Sequence, residues 1–471
     1  MDYEKLGFKS GIEIHQQLEG RKLFCSCPTI ISKDKPDFTF TRTLRASAGE
    51  SGLIDKAAKF EQEKSKKFVY GGYKSINCLV ETDDEPPHPV SKEAVEAALK
   101  MASLLNLKVR YRIQFMRKTV IDGSNTSGFQ RTALIGTNGY VEVDGKKYGI
   151  ESLCLEEEAC QVITRTKNQD TYNLSRLGIP LLEIATAPDM KTPEEVKKVA
   201  AHIGMLIRSI KNVKRGIGSI RQDVNISIKG GARTEIKGFQ DFKSIPKVVD
   251  NEIKRQLNLI NQKKEVESAV RKAETDNTTS YLRPMPGADR MYPETDVEII
   301  NPEVFQIEVP ETLKQKIHRY KQEFDLSEDL AKQVVKTQSK TKKDFESLFK
   351  KYASKQLSST NIADIILKKI PEAQKEGELK YLDEQALFES LSKGEISFDS
   401  VALILKESRD KKPLFSKYKK LTPKEVEKEV LVAIKNNPEA PIGALMGSIM
   451  KKLAGKADGK QVMSLLKKNL K

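Results

Sequence analysis

Two textures divide the chain. Before residue 301, several short runs alternate apolar and polar positions, the period-two signature of strands with one buried face. In Gly11–Leu18, Ile12 and Ile14 lie on one side and Glu13, His15 and Gln17 on the other. In Ile220–Ile228, Ile220, Val224, Ile226 and Ile228 share one face, while Arg221, Asp223, Asn225 and Ser227 share the other. Arg233–Lys237 sets Arg233, Glu235 and Lys237 together, Pro180–Ala185 carries Glu183 alone among apolar residues, and Leu153–Ala159 holds the consecutive acids Glu156, Glu157 and Glu158. From residue 301 onward the period becomes helical. Amphipathic helices are predicted over Glu311–Phe324, Ser327–Thr337, Lys342–Lys355, Asn361–Ile370, Glu384–Lys393, Ser397–Lys406, Pro423–Asn436, Pro441–Leu453 and Gly459–Leu470. Ser327, Asp383 and Thr422 stand where N-caps are expected. Glycine follows the same division, with 21 of the 27 before residue 301. The pattern predicts an α+β domain over 1–300 and an all-α domain over 301–471, joined near Asn301–Pro310. The polar segment Glu265–Ser280 predicts an exposed loop.

The polar strand faces suggest chemistry. A solvated sheet face accounts for any one of these runs. Together they mix acids and bases at close spacing and include Asp and Asn, which are poor strand formers. Such a face can hold Mg²⁺ through carboxylate oxygens and phosphates through cations. The chain has neither a G-x-x-x-x-G-K-[ST] loop nor a G-x-G-x-x-G after a strand, so phosphate binding falls to side chains. The small-residue stretch Gly123–Gly128, flanked by Arg117, Lys118 and Arg131, can present backbone N–H groups to an anion or be a plain surface loop.

Composition narrows the class. At 38% hydrophobic and 31% charged, the 471 residues exclude a wholly disordered chain. No apolar run is long enough to cross a bilayer, and the first ten residues lack a signal-peptide core. Five cysteines make no disulfide framework, so a cytoplasmic protein is expected. Lys and Arg number 82 against 66 acids, a net +16. This predicts a polyanionic partner. The excess is densest in residues 301–471, with 34 bases against 25 acids. Cys25 and Cys27 are half of a zinc site. No second pair follows among Cys78, Cys154 and Cys160, so zinc is not expected.

The motifs GIEIHQQL, LFCSCP, RKTVIDGSNTSGFQRT, LCLEEEAC, YNLSRLGIPLLEIATAPD, GIGSIRQDVNISIKGG, RTEIKGFQ and RPMPGADRMYPETD occur in the order seen in catalytic subunits of tRNA-dependent amidotransferases. NNPEAPIGALMGSIMKKLAGKADGKQVMSLLKKNL resembles that family's helical tail. Over nearly its whole length the chain resembles the archaeal E branch of this family, whose B branch is bacterial and organellar.

The resemblance implies a glutamine synthetase/guanidino kinase-like antiparallel sheet cradled by helices. It implies ATP-dependent phosphorylation of the glutamate side chain on tRNA(Gln), then amidation by ammonia from a separate asparaginase-like subunit. It places Glu13, His15, Glu157 and Glu183 in the catalytic and metal centre. The strand faces add Asp223, Asn225 and Glu235 as Mg²⁺ ligands. Lys118, Ser124, Arg221 and Lys237 are the expected nucleotide contacts, and Lys451, Lys452, Lys456 and Lys460 the expected tRNA contacts. Two features depart from the family. The inserted domain usual before the RPMPGA-type motif is missing between Gln256 and Tyr281, and the four-cysteine zinc site of the B branch does not transfer. The competing expectations are a component of the B type with another ammonia donor and a non-catalytic tRNA-binding protein.

Overall fold

The computed structural model describes residues 1–48, 52–54, 56–239, 242–285, 291–341, 343–453, 456–457 and 459–470. The chain contacts divide it into two units, Met1–Thr312 and Leu313–Lys471. The junction falls beyond the expected one because Phe305 and Ile307 pack on the core of the first unit.

The strands of the first unit are β1 (Lys9–Gln17), β2 (Phe38–Arg42), β3 (Lys67–Gly72), β4 (Lys108–Val109), β5 (Phe115–Thr119), β6 (Phe129–Val143), β7 (Lys146–Glu157), β8 (Gln161–Arg165), β9 (Gln169–Asn173), β10 (Pro180–Thr186), β11 (Ile220–Ser227), β12 (Thr234–Lys237), β13 (Ala269–Ala273), β14 (Thr279–Pro284) and β15 (Met291–Pro293). Among the described residues, eleven form one sheet in the order β14-β13-β12-β11-β1-β10-β7-β6-β5-β15, with β4 paired to β6. Its pairs are antiparallel except β12–β13. A second sheet runs β2-β3-β9-β8. The helices are α1 (Lys56–Glu63), α2 (Leu79–Thr82), α3 (Lys92–Leu104), α4 (Pro193–Ile207) and α5 (Ile245–Asn261).

Alternation decides which face is dry. Ile12, Ile14, Leu153, Leu155, Leu182, Ile184, Val224 and Ile226 bury one face of the main sheet in a core shared with Val95, Ala98, Val199, Ile203 and Ile253 from α3, α4 and α5. Each fully buried aliphatic side chain contributes about 1.5–3 kcal/mol. Thr192 caps α4 by accepting from Glu195 N–H, with Pro193 at its first turn. The opposite face is thereby left to polar side chains.

Two local expectations are corrected. Glu265–Ser280 is not a plain loop. It supplies β13 and the start of β14, a hairpin that extends the main sheet. Its polar turn residues hide the pair Ala269 and Val270, which are buried, and Asn277 takes the positive φ (67°) of the turn. In the second unit, the helix expected to stop at Ile370 runs on. Ser359–Asp364 passes through a wider turn at Ile365–Lys369 into Ile370–Lys375. That wider turn, just before Pro371, absorbs the missing N–H and the ring clash that would break a regular helix.

The second unit is helical and has two cores. One gathers Tyr320, Val334, Phe349, Ile365, Phe388 and Leu405. The other gathers Val426, Val430, Leu445, Ile449, Val462 and Leu466 from Pro423–Asn436, Ile442–Leu453 and Gly459–Asn469. The expected start of a helix at Lys342 lies outside the described residues; Phe345–Tyr352 is helical, capped by Asp344. No described helix is long and apolar enough to cross a membrane.

Candidate active site

Register builds the site. His15 stands opposite Glu183 on β10 and Arg221 on β11, and Glu13 stands opposite Asp223. Asn225 pairs with Glu235, Lys118 with Gln130, and Thr132 with Glu156. Residues directly opposite in a ladder share a face, so strands from different parts of the chain bring their polar sides to one floor. The floor lines a cavity of about 400 Å³, bordered by Glu13, His15, Lys118, Ser124, Glu156, Glu183, Arg221, Glu235 and Lys237.

Two clusters of oxygen and nitrogen donors lie on this floor. His15, Glu156 and Glu183 offer ligand atoms within 4.8 Å of one another, as do Glu13, Asp223 and Glu235. His15 Nε2 lies 3.2 Å from Glu183 Oε2, and its Nδ1 is buried without a partner. Hard oxygens in this number, with an imidazole nitrogen left over, fit a divalent cation such as Mg²⁺. Burial resists the imidazolium of His15, yet the Glu183 bond and charge and Asp223 raise its pKa above the ordinary value. Burial also works against the Glu183 carboxylate, but Lys118 and His15 hold its pKa well below the usual range. Glu13 is raised by burial and by the charges of Glu235 and Glu183. Glu156 is raised by burial and by Glu183, against the opposing charge of Lys118.

The expected phosphate contacts line the cavity, but each is engaged. Lys118 Nζ lies 2.6 Å from Glu156, Arg221 2.6 Å from Glu158, and Lys237 2.6 Å from Asp223 and 2.5 Å from Glu235. Burial opposes the Glu158 carboxylate, yet Arg221, Arg176 and the Gln17 bond bring its pKa down to about 2. Asn225 donates from Nδ2 to Glu13 (3.1 Å), joining the second cluster sideways. Ser124 sits on the loop between β5 and β6, its N–H and hydroxyl both donated to Asp122 (3.0 and 2.6 Å). That loop packs on the second sheet, where Tyr70 donates to the Gly123 carbonyl. The Ser124 N–H is therefore spent within its own turn.

Glu157 does not join the other predicted ligands. It neighbours Glu156 on β7, and period two turns it to the opposite face. There it accepts from Arg131 N–H at 3.1 Å and faces the Arg131 side chain at 3.5 Å. Burial raises its pKa, with Arg131 opposing. Arg131 also bonds Glu294 at 2.7 Å. Glu156 takes the place expected for Glu157, and Glu158 borders the cavity as well. The sequence carries the signal for Glu156, since Leu153 and Leu155 mark the dry face of the same strand.

The zinc expectation rests on ligand spacing along the chain, and the fold changes that count. Cys25, Cys27, Cys78 and Glu81 offer atoms within 4.8 Å of one another. Cys78 and Glu81 belong to the capped first turn of α2, far along the chain from the C-x-C pair, so no local motif announces them. In the second unit, Lys451 and Lys452 are exposed on Ile442–Leu453, with Lys452 paired to Glu429 at 2.6 Å. Lys456 is partly buried and Lys460 exposed.

Residues 8–308 match the family model described as the GatB/GatE catalytic domain, which ends close to the junction of the two units. Residues 419–470 match the model described as the GatB domain and take in the second helical core. The E-type subunit of glutamyl-tRNA(Gln) amidotransferase from Methanocaldococcus jannaschii is 37% identical over 630 aligned positions, taking in 100% of this chain and 99% of the relative. Its counterparts from Archaeoglobus fulgidus and Methanosarcina barkeri are 34% and 33% identical, over 100% of this chain and 99% and 98% of theirs. These alignments are longer than the 471 residues here, so the relatives carry positions that this chain lacks, as an absent insert requires. With both models matched in chain order and these relatives matched end to end, the chain belongs to the GatB/GatE family of amidotransferase subunits.

Proposed function

We propose that this chain carries out ATP-dependent transamidation of glutamate esterified to tRNA(Gln), on a scaffold of glutamine synthetase/guanidino kinase type. The observation that carries the reading is the cavity floor, where two carboxylate clusters alternate with Lys118, Arg221 and Lys237 on one sheet face. A site for binding RNA alone has no need of a buried acidic cluster, because RNA is itself anionic.

The chemistry explains the residue types. A carboxylate oxygen of the glutamate side chain attacks the terminal phosphorus of ATP, and the bond to ADP breaks. The product is an acyl phosphate. Ammonia adds to the acyl carbon, phosphate departs with the C–O electron pair, and the surplus proton on nitrogen passes to a base. Both steps depend on positioning and on neutralising phosphate charge. Glu13, Asp223 and Glu235, or His15, Glu156 and Glu183, would hold Mg²⁺, which would supply part of that neutralisation. Lys118 and Lys237 hold the carboxylates in place and add positive charge to the floor. Glu183 orients the His15 ring through the contact at Nε2. Ammonia comes from an asparaginase-like partner protein. The charged tRNA is held by the basic helical unit, through Lys451, Lys452, Lys456 and Lys460.

The test is the purified chain with ATP, glutamyl-tRNA(Gln) and ammonium salt. Glutaminyl-tRNA is expected with ammonium and not with asparagine or glutamine alone. Absence of product with ammonium would overturn the reaction, and product from an amide without a second protein would overturn the external donor.

A further inference from the structure

The cations bordering the cavity differ in what they face. Lys118, Arg221 and Lys237 each lie within 2.6 Å of a carboxylate oxygen. Arg233 donates from Nε to Asn225 Oδ1 at 3.1 Å and reaches Glu13 at 4.0 Å. To take a phosphate, each of these must share or give up an existing partner. Arg283 also borders the cavity, but its side chain makes no hydrogen bond or ion pair among the described residues, and its Nε is buried without an acceptor.

Three other arginines bury an unbonded Nε: Arg42, Arg117 and Arg409. Each is anchored through Nη2. Arg42 donates to Thr82 O and Asp84, Arg117 to Glu294 and Asp296, and Arg409 to Ala373 O and Glu376. Arg283 has no counterpart to these bonds. Unmade bonds on a partly desolvated guanidinium are costly, and the cost is removed if an anion completes the site.

Strand register gives the direction. Arg283 on β14 is opposite Val270 on β13, and Val270 is the partner of Glu235 on β12. Arg283 therefore stands on the face that carries Glu235. Met285, just beyond β14, and Ala58 and Glu61 of α1 border the same cavity. A planar guanidinium fork matches phosphate in a bidentate manner, which an ammonium cannot do.

We infer that Arg283 binds the phosphates of the nucleotide in this cavity, as a cation that no other described residue neutralises. The inference rests on the transamidation reading and deepens it. The floor cations hold the carboxylates, and Arg283 reads the polyphosphate.

The experiment is calorimetric titration of the full chain and of Arg283→Gln and Arg283→Lys with MgATP. Steady-state KM for glutamyl-tRNA is measured with ammonium as donor. Loss of a charge-assisted pair weakens binding about 10- to 100-fold. Arg283→Gln is expected to raise the MgATP Kd by that factor, Arg283→Lys by less, and neither to shift the KM for tRNA. The two variants should melt with the wild type, because the side chain makes no bond to any described residue. MgATP affinity of both variants within twofold of wild type overturns the assignment. So does an effect confined to the tRNA KM, which would make the anion the substrate carboxylate. If Arg283→Gln unfolds, the MgATP affinity of Arg283→Lys decides the matter. Wild type that binds no MgATP and forms no product overturns the transamidation reading as well. Wild type that does both, beside unaffected variants, overturns Arg283 alone.

Discussion

Glu294 shows how the edge of the cavity is held, and Glu294→Gln tests it. The side chain is fully buried; it accepts from Arg117 at 2.6 Å and from Arg131 at 2.7 Å, and the Glu294 N–H is given to Phe115 O. These bonds fasten β15 to β5, the strand that carries Lys118. Removing one partner of a buried ion pair costs about 3–5 kcal/mol. Glutamine keeps an acceptor oxygen, Arg117 keeps Asp296 at 3.0 Å, and Arg131 keeps Glu157 at 3.5 Å. The expected loss is therefore about 2 kcal/mol, or about 4 °C in the melting of a unit this size. Glu294→Ala, with no acceptor, should lose more. Burial opposes the Glu294 carboxylate, but the Arg117 bond, the Asp296 N–H and Arg131 hold its pKa below the ordinary value. A depressed carboxyl contributes stability that is complete above the unfolded value of about 4.3 and is lost as pH falls through the folded value. The gap between wild type and Glu294→Gln should thus be widest near neutrality and close below about pH 4. Calorimetric melts across pH, with amide exchange at 115–119 and 291–296, read both effects. A melting point within about 1 °C of wild type, or a gap independent of pH, would refute the reasoning.

His15→Ala should abolish amide formation from ammonium and leave tRNA affinity within a few-fold; undiminished product would remove His15 from the site. Gly123→Ala should destabilise the first unit by about 2–3 kcal/mol, read as a lowered melting point. The new Cβ would fall 2.2 Å from the Phe68 ring at a backbone φ of +84°. A chain ending at Thr312 should bind charged tRNA more weakly and with a flatter salt dependence; equal affinities at two salt concentrations would show that the second unit takes no part.

Legibility differs from residue to residue. Ile12, Ile14, Val224 and Ile226 announce two strands and their dry face without any structure, because burial on one side forces period two. The same rule, applied to Leu153 and Leu155, puts Glu156 on the polar face and Glu157 on the other, which family resemblance alone does not do. The hairpin at β13 and β14 is hidden because a few apolar residues suffice when the neighbouring strand completes the burial. The helix expected to end at Ile370 widens at Ile365–Lys369 and continues past Pro371.

Local pattern announced β1, β10 and β11, most helices of the second unit and the polar character of one strand face. Those properties depend on neighbours a few residues away. Tertiary structure decided which polar residues meet. Glu183 reaches His15, Glu158 reaches Arg221, Cys78 reaches Cys25, and Arg283 stands on the face of Glu235 through strand order and register. Those pairings join positions far apart in the chain, and many orders of the same strands satisfy the same local pattern. Long-range packing selects one order among them, and with it the charges that are neutralised within the protein and the guanidinium that is left for a ligand.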